Sequence, residues 1–357
     1  MRWFGPKEDK IPLEYIRQVP GIEGVVGALY DVPVGEVWPK DKIKTLVDQA
    51  HAAGLKMEVI ESVNIHDDIK IGLPSRDQYI ANYIQTIRHL AEYGVKVICY
   101  NFMPVFDWMK TEMNYVLSDG SITMAFEKKG IDKSLEQVVK EVLEKSNGFA
   151  LPGWEPERLA KVQELFAKYK DVDDEKLREN LVYFLKAVVP VCEEVGVKMA
   201  IHPDDPPYSI FGLPRIIKNR DDLDWLCNAV DSPANGITLC TGSIAEDPAN
   251  NAYEILAEFT KRKRIHFAHV RNIKITHDKD FYESAHPSQY GSLDMYEIVK
   301  ALHDNGFDGY IRPDHGRFIW DETGRPGYGL YDRALGVTYI LGLWEALEKQ
   351  SKANQSK

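Results

Sequence analysis

The sequence predicts an α/β chain closed into a (β/α)8 TIM barrel with a helical insertion after the fourth strand. Three observations carry that expectation. Eight short apolar runs have the composition of strands buried on both faces, helical periodicity fills the intervals between them, and glycine recurs where a helix gives way to the next strand. Barrels of this kind carry about 250 residues or more as one unit, so residues 1–357 read as a single domain.

The first run, 2–5, is weak, and the clear ones are 24–31, 56–62, 95–102, 197–203, 236–242, 265–272 and 309–316. Helical patterns at 12–17, 41–53, 77–93, 178–195, 222–229, 251–262, 294–304 and 331–348 alternate with them. In the third of these, Ile80, Tyr83, Ile84, Ile87 and Leu90 fall on one stripe, the pattern a helix lays against a sheet. Gly54, Gly94, Gly196 and Gly306 each follow such a stripe and precede a strand, the place where a left-handed residue ends a helix without a Cβ clash. Pro190 lies inside the helix 178–195 and is expected to kink it. Strict alternation leaves a doubly wound sheet or a barrel. Eight units favour the barrel, and neither a G-x-G-x-x-G opening the first helix nor a G-x-x-x-x-G-K-[ST] occurs.

The insertion spans 103–174, with helical patterns at 131–145 and 155–170 and with Phe106, Trp108, Tyr115, Phe149 and Trp154 spaced along it. It leaves the C-terminal end of a strand, so it sits on the face where barrel active sites are built. A lid and a dimerisation arm are both open readings.

Composition limits the partners. Lys plus Arg number 44 against 55 Asp plus Glu, a balance of −11 that is opposite to the basic footprint of a nucleic-acid binder. The four cysteines are scattered and form no C-x-x-C pair, which points to a reducing cytoplasm rather than a disulfide framework. The opening MRWFGPKEDK has no apolar core of a signal peptide, and no run approaches the roughly 18 apolar residues a membrane span needs. A soluble, unexported protein with no nucleic-acid or membrane partner is expected.

Chemistry is concentrated at the ends of the later strands. His202, Cys240, His269 and Asp314 end or follow four consecutive apolar runs. Neighbouring strands about 4.8 Å apart can bring such donors together around one divalent ion. Each residue alone has a structural explanation, as a small buried hydrophobe, a hydrogen-bonded core histidine or a turn cap. Together they read as a metal site. Cys99 lies two residues short of its strand end and is expected to pack, Cys192 and Cys227 lie on helix stripes, and His266 should face the helices because it is an odd step from His269. His66, His277 and His286 could face the site or solvent. Further polar candidates are Arg271 and Asn272 beyond His269, Asn101 at the fourth strand end, His315 after Asp314, and Tyr328 in the glycine-rich segment 324–330. Arginine grips a carboxylate with two parallel hydrogen bonds, and histidine and tyrosine can exchange protons.

On these residues the chain resembles the mannonate dehydratase family, within the xylose-isomerase-like barrel superfamily. The resemblance covers nearly the whole chain and rests on GVVGALYDVPVGEVWP (24–39), ESVNIHDDIKIGLP (61–74), VICYNFMPVFDW (97–108), MAIHPDDPP (199–207), GITLCTGS (236–243), IHFAHVRN (265–272) and RPDHGR (312–317). It implies a lyase of hexuronate (glucuronate) breakdown that removes water from D-mannonate to give 2-dehydro-3-deoxy-D-gluconate. It also implies that His202, Cys240, His269 and Asp314 hold the metal, with Mn2+ or Fe2+ the usual ion. A thiolate with two imidazoles suits Zn2+ or Fe2+ better than Mn2+, and Co2+ or Ni2+ could occupy the same donors. The dehydration needs a cation at the carboxylate, a base at C2 and an acid for the 3-hydroxyl. Arg271 is expected to assist at the carboxylate, His315 and Tyr328 to share the base and acid roles in either order, Asn101 and Asn272 to bind the sugar acid, and the enzyme to form a homodimer. Two alternatives are a metal-dependent sugar isomerase on the same barrel and a non-catalytic sugar-acid binder with structural zinc.

Overall fold

In the computed structural model, residues 1–133, 135–145 and 162–355 are described. Their strands, in chain order, are β1 (Gly24–Gly27), β2 (Lys56–Glu61), β3 (Val97–Tyr100), β4 (Glu112–Val116), β5 (Ile122–Phe126), β6 (Lys198–Ile201), β7 (Asn235–Cys240), β8 (Ile265–His269), β9 (Ile273–His277), β10 (Asp280–Glu283) and β11 (Tyr310–Arg312). Seven of them form one parallel sheet in the order β1-β2-β3-β6-β7-β8-β11. Each of the seven clear apolar runs supplies one of these strands. The weak run at 2–5 supplies only a bridge from Arg2 to Val26, because Gly5 turns away with φ 89° and Pro6 has no N–H to donate. The sheet curls until its last strand reaches its second: Tyr310 on β11 donates its hydroxyl to Glu58 on β2 at 3.1 Å, and Arg312 reaches Glu61 at 3.0 Å. The fold is an α/β TIM barrel.

Two apolar layers hold it. A small interior cluster of Val26, Val59, Val97, Cys99, Ala200 and Phe267 fills the barrel floor. A much larger cluster lies between the sheet and the surrounding helices and contains the stripe Ile80, Tyr83, Ile87 and Leu90. Cys99 thus packs as expected, its thiol pushed up by burial, and Cys192 and Cys227 are buried in the outer layer. His266 faces outward from β8. Burial, with Lys198 and Arg264 nearby, pushes its imidazole down to about 3, so it is neutral. Its ring leaves room only for glycine opposite: a Cβ on Gly236 would lie 2.2 Å from His266 Nε2.

The outer helices are Leu13–Gln18, Lys40–Ala52, Arg76–Glu92, Asp174–Val195, Arg220–Ala229, Ala252–Lys261, Met295–Asp304 and Leu330–Gln355. Asp173, Asn219, Asn251 and Asp294 cap four of them by accepting backbone N–H groups of the first turn. Gly54, Gly94, Gly196 and Gly306 take left-handed φ of 73°, 86°, 72° and 66° at the opposite ends. The helix through Pro190 runs unbroken over Asp174–Val195. Pro190 and Lys186 are both exposed there, so water can satisfy the carbonyl that loses its N–H partner.

The insertion carries helices Leu135–Glu144 and Val162–Tyr169 within the two predicted helical stretches; 155–161, Phe149 and Trp154 lie outside the described residues. It also carries a hairpin the periodicity did not reveal, β4 and β5. This hairpin joins a second one, β9 and β10, in an antiparallel sheet of order β4-β5-β10-β9 beside the barrel. Among the described residues no helix is long and apolar enough to cross a membrane.

Candidate active site

The interior floor fixes what stands above it. Side chains alternate faces along a strand, so the residue two beyond Val59 is Glu61, two beyond Ala200 is His202, and two beyond Phe267 is His269. Cys240 and Arg312 stand in register on either side of His269. One layer of polar side chains therefore sits at the C-terminal mouth of an otherwise apolar barrel.

His202, Cys240 and His269 each offer a ligand atom within 4.8 Å of the others. Asp314 closes the group, with Oδ2 3.4 Å from Cys240 Sγ and Oδ1 3.7 Å from His269 Nδ1. His202 Nδ1 donates to the Pro203 carbonyl at 2.7 Å, which leaves Nε2 as its bare nitrogen. His269 Nε2 is buried and makes no hydrogen bond, and Glu61 Oε2, 3.5 Å away, is equally without one. A buried imidazole nitrogen without a hydrogen bond, beside a thiol, a second imidazole and a carboxylate, fits a divalent ion.

Asp314 is held from several sides. Its backbone is left-handed at φ 63°, rare for a residue with a Cβ. The preceding carbonyl of Pro313 accepts from buried His286 Nε2 at 2.7 Å. Burial alone would raise its carboxyl, but His315, Arg312, His269 and Arg271 outweigh that and keep it well below the usual carboxylate range. Arg312 Nη2 and Arg271 Nε lie 2.7 and 2.9 Å from its two oxygens.

A cavity of about 780 Å³ opens above this group. His202, Asp314, His315, Tyr328 and Asn101 line it, and Trp108 and Leu165 of the insertion form part of its wall. The Asn101 side chain also accepts the Met103 N–H at 3.2 Å. His315 Nδ1 lies 2.7 and 2.8 Å from the two Glu283 oxygens. Burial tends to raise Glu283, and His315 and Arg271 hold it below its ordinary value. The Tyr328 ring stands 5.1 Å from His315 and edge-on to Phe4 at 4.7 Å. Burial pushes its phenol up to about 12, so it carries its proton at neutral pH.

Two expected substrate contacts lie elsewhere. Arg271 is buried away from the cavity and its guanidinium is already shared among Asp205, Glu246, Glu283 and Asp314 at 2.9 to 3.2 Å. No face of it is left for a sugar acid. Asn272 spends its amide on the His286 and Leu293 carbonyls at 3.2 and 3.3 Å and on the Leu293 N–H at 3.1 Å, tying down a loop. His66 does line the cavity, stacked on Tyr79, whereas His286 is buried behind Pro313 and His277 is exposed.

Sequence reasoning missed Glu61, Glu283, Arg2 and Arg312. Arg312 is buried and lines the cavity, with Nε and Nη1 making no hydrogen bond. Burial would lower it, but Glu61 and Asp314 keep it firmly cationic. Arg2 lines the cavity too, one nitrogen donating to the Tyr30 hydroxyl and Nη1 making no hydrogen bond. The period of two from the interior residues would have found Glu61 and Arg312.

Comparison with known proteins gives consistent matches. The family model for D-mannonate dehydratase (UxuA) matches residues 1–354. A mannonate dehydratase of Lactococcus lactis subsp. cremoris is 67% identical over 354 residues, covering 99% of each chain, and one of Thermotoga maritima is 62% identical over 352 residues, covering 98% of each. The crystal structure of mannonate dehydratase from Streptococcus suis superposes with a TM-score of 0.89 at 45% identity, covering 98% of this chain and 95% of that one. A xylose isomerase-like TIM barrel protein of Mycobacterium smegmatis, 14% identical with a TM-score of 0.53, shares the fold.

Proposed function

The chain belongs to the D-mannonate dehydratase family of metal-dependent hydro-lyases, and from that premise we propose how its residues remove water from D-mannonate to give 2-dehydro-3-deoxy-D-gluconate. The observation that carries the assignment is the convergence of His202, Cys240, His269 and Asp314, two of which, His202 and Asp314, line a cavity whose wall also holds His315 and a protonated Tyr328. These four residues would hold the ion. Mn2+ or Fe2+ is the expected occupant, the same donors accepting Co2+, Ni2+ or Zn2+. When bound, the ion supplies positive charge against the negative charge that builds on the substrate carboxylate as C2 loses its proton.

The chain's own residues do the rest. Arg312 and Arg2, cationic residues that line the cavity, take the carboxylate role that Arg271 cannot. Asn101 is placed to meet a sugar hydroxyl. Because burial keeps Tyr328 protonated, it serves as the acid, and His315 serves as the base. His315 removes the C2 proton, the C3–O bond breaks as Tyr328 gives its proton to the departing hydroxyl, and the enol then takes a solvent proton at C3 to become the ketone. The insertion acts as a cover: Trp108 and Leu165 wall the cavity, and Tyr169 donates its hydroxyl to Asp67 at 2.7 Å, fastening the helix Val162–Tyr169 to the short helix Asp67–Ile71 beyond β2. A homodimer in the cytoplasm is the proposed state. Exposed Trp320, Tyr331, Leu335 and Leu341 on and beside the last helix offer it an apolar face.

The test is a metal-stripped protein reloaded with each divalent ion and assayed for 2-keto product over a panel of hexonates and hexuronates. D-Mannonate should be the best substrate and turnover should vanish without metal. Conversion of a hexuronate to an isomer without loss of water, and none of mannonate, would overturn the reading.

A further inference from the structure

We propose that Glu283 is a positioning residue for the proton abstraction: it holds His315 with Nδ1 protonated and Nε2 bare toward the cavity, and the antiparallel sheet β4-β5-β10-β9 delivers it there. The proposal rests on the assignment of His315 as the base.

Glu283 is the last residue of β10 and is buried. An ionised carboxylate only accepts hydrogen bonds. With both of its oxygens at 2.7 and 2.8 Å from His315 Nδ1, the imidazole hydrogen must sit on Nδ1. With its hydrogen on Nδ1, the ring can offer a lone pair on Nε2, which lies 3.8 Å from Asp314 Oδ1 at the edge of the metal-binding group. A second, plainer role for Glu283 is to neutralise Arg271. The distances rank the two: Arg271 Nη1 is farther from Glu283, at 3.1 Å, and already has Asp205, Glu246 and Asp314 as counter-ions. Arg271 helps keep the buried carboxylate ionised, and His315 is what the carboxylate points at.

The sheet makes the placement rigid. Phe281 and Tyr282 of β10 pair with Phe126 and Ala125 of β5, and the Phe126 and Phe281 rings stack at 5.8 Å. The Glu283 carbonyl accepts the Thr123 hydroxyl of β5 at 2.8 Å. One strand of the insertion therefore braces the residue behind the base. As the C2 proton moves to Nε2 the ring becomes an imidazolium, and a carboxylate directly behind it stabilises that charge more in the transition state than in the ground state.

The experiment uses the metal-loaded enzyme and compares Glu283→Gln, Glu283→Asp and His315→Asn. Glu283→Gln should lower kcat by about 10²-fold or more with KM within about threefold and metal content unchanged. The kinetic isotope effect on kcat with C2-deuterated mannonate should rise, because proton removal becomes the slow step. Glu283→Asp keeps the charge at shorter reach and should fall between the parent and the Gln variant; if the Gln variant does not fold, a lowered kcat at unchanged KM in the Asp variant carries the same expectation. Parental kcat in Glu283→Gln, or in Glu283→Asp if only that variant folds, beside a slow His315→Asn overturns the positioning role and leaves the base assignment standing. Parental rates in His315→Asn as well overturn both.

Discussion

Cys240→Ser and His202→Ala are each expected to yield a folded barrel that retains no metal and turns over D-mannonate at least about 10³-fold more slowly. The serine hydroxyl is a poor substitute for a thiolate, and alanine removes the imidazole whose bare Nε2 is set by the Nδ1 contact to Pro203 at 2.7 Å. Neither change reaches the apolar floor of Val59, Val97, Ala200 and Phe267 or the outer layer that holds the helices. Circular dichroism should therefore look parental while elemental analysis shows the ion gone. Full metal content with full turnover in either variant would remove that residue from the ligand set.

His315→Asn and Tyr328→Phe should separate chemistry from metal binding. Each is expected to lower kcat by about 10²-fold or more with the ion retained at parental stoichiometry. Tyr328→Phe is the cleaner change, since the ring keeps its edge contact with Phe4 and loses only the proton that burial holds in place up to about 12. Steady-state kinetics beside metal analysis reads this directly. Rates near parental in both variants would move the proton transfers to other groups on the cavity rim, of which His66 is a candidate.

The parts of this molecule that were legible in the sequence are those with a period. The helical stripes and the glycines at 54, 94, 196 and 306 mark the alternation because buried faces and left-handed caps impose residue types. The four residues at successive strand ends were visible because strand ends converge in a barrel, and the structure brings His202, Cys240, His269 and Asp314 together. What stayed hidden depends on partners far away in sequence. Arg271 reads as a free carboxylate clamp until Asp205, Glu246, Glu283 and Asp314 are folded around it. Asn272 reads as a site residue until its amide is seen tying down the loop at Leu293. The hairpin of β4 and β5 did leave a signal, Asp119-Gly120 with φ 84° at the glycine, between two short runs. The hairpin of β9 and β10 left almost none, because its turn uses Lys279 at φ 61° where a glycine would be expected. Glu283 arrives on that hairpin, so no local pattern announced it.

The most direct measurement is turnover of D-mannonate in D2O with the product read by NMR and mass spectrometry. Removal of the C2 proton by His315 and loss of the 3-hydroxyl with a proton from Tyr328 leave an enol that must be protonated at C3 from solvent. The expected product is a 2-keto acid with one deuterium at C3 and an oxygen lost as water. A product of unchanged composition with no 3-deoxy carbon, or a 3-deoxy product carrying no solvent deuterium at C3, would contradict it.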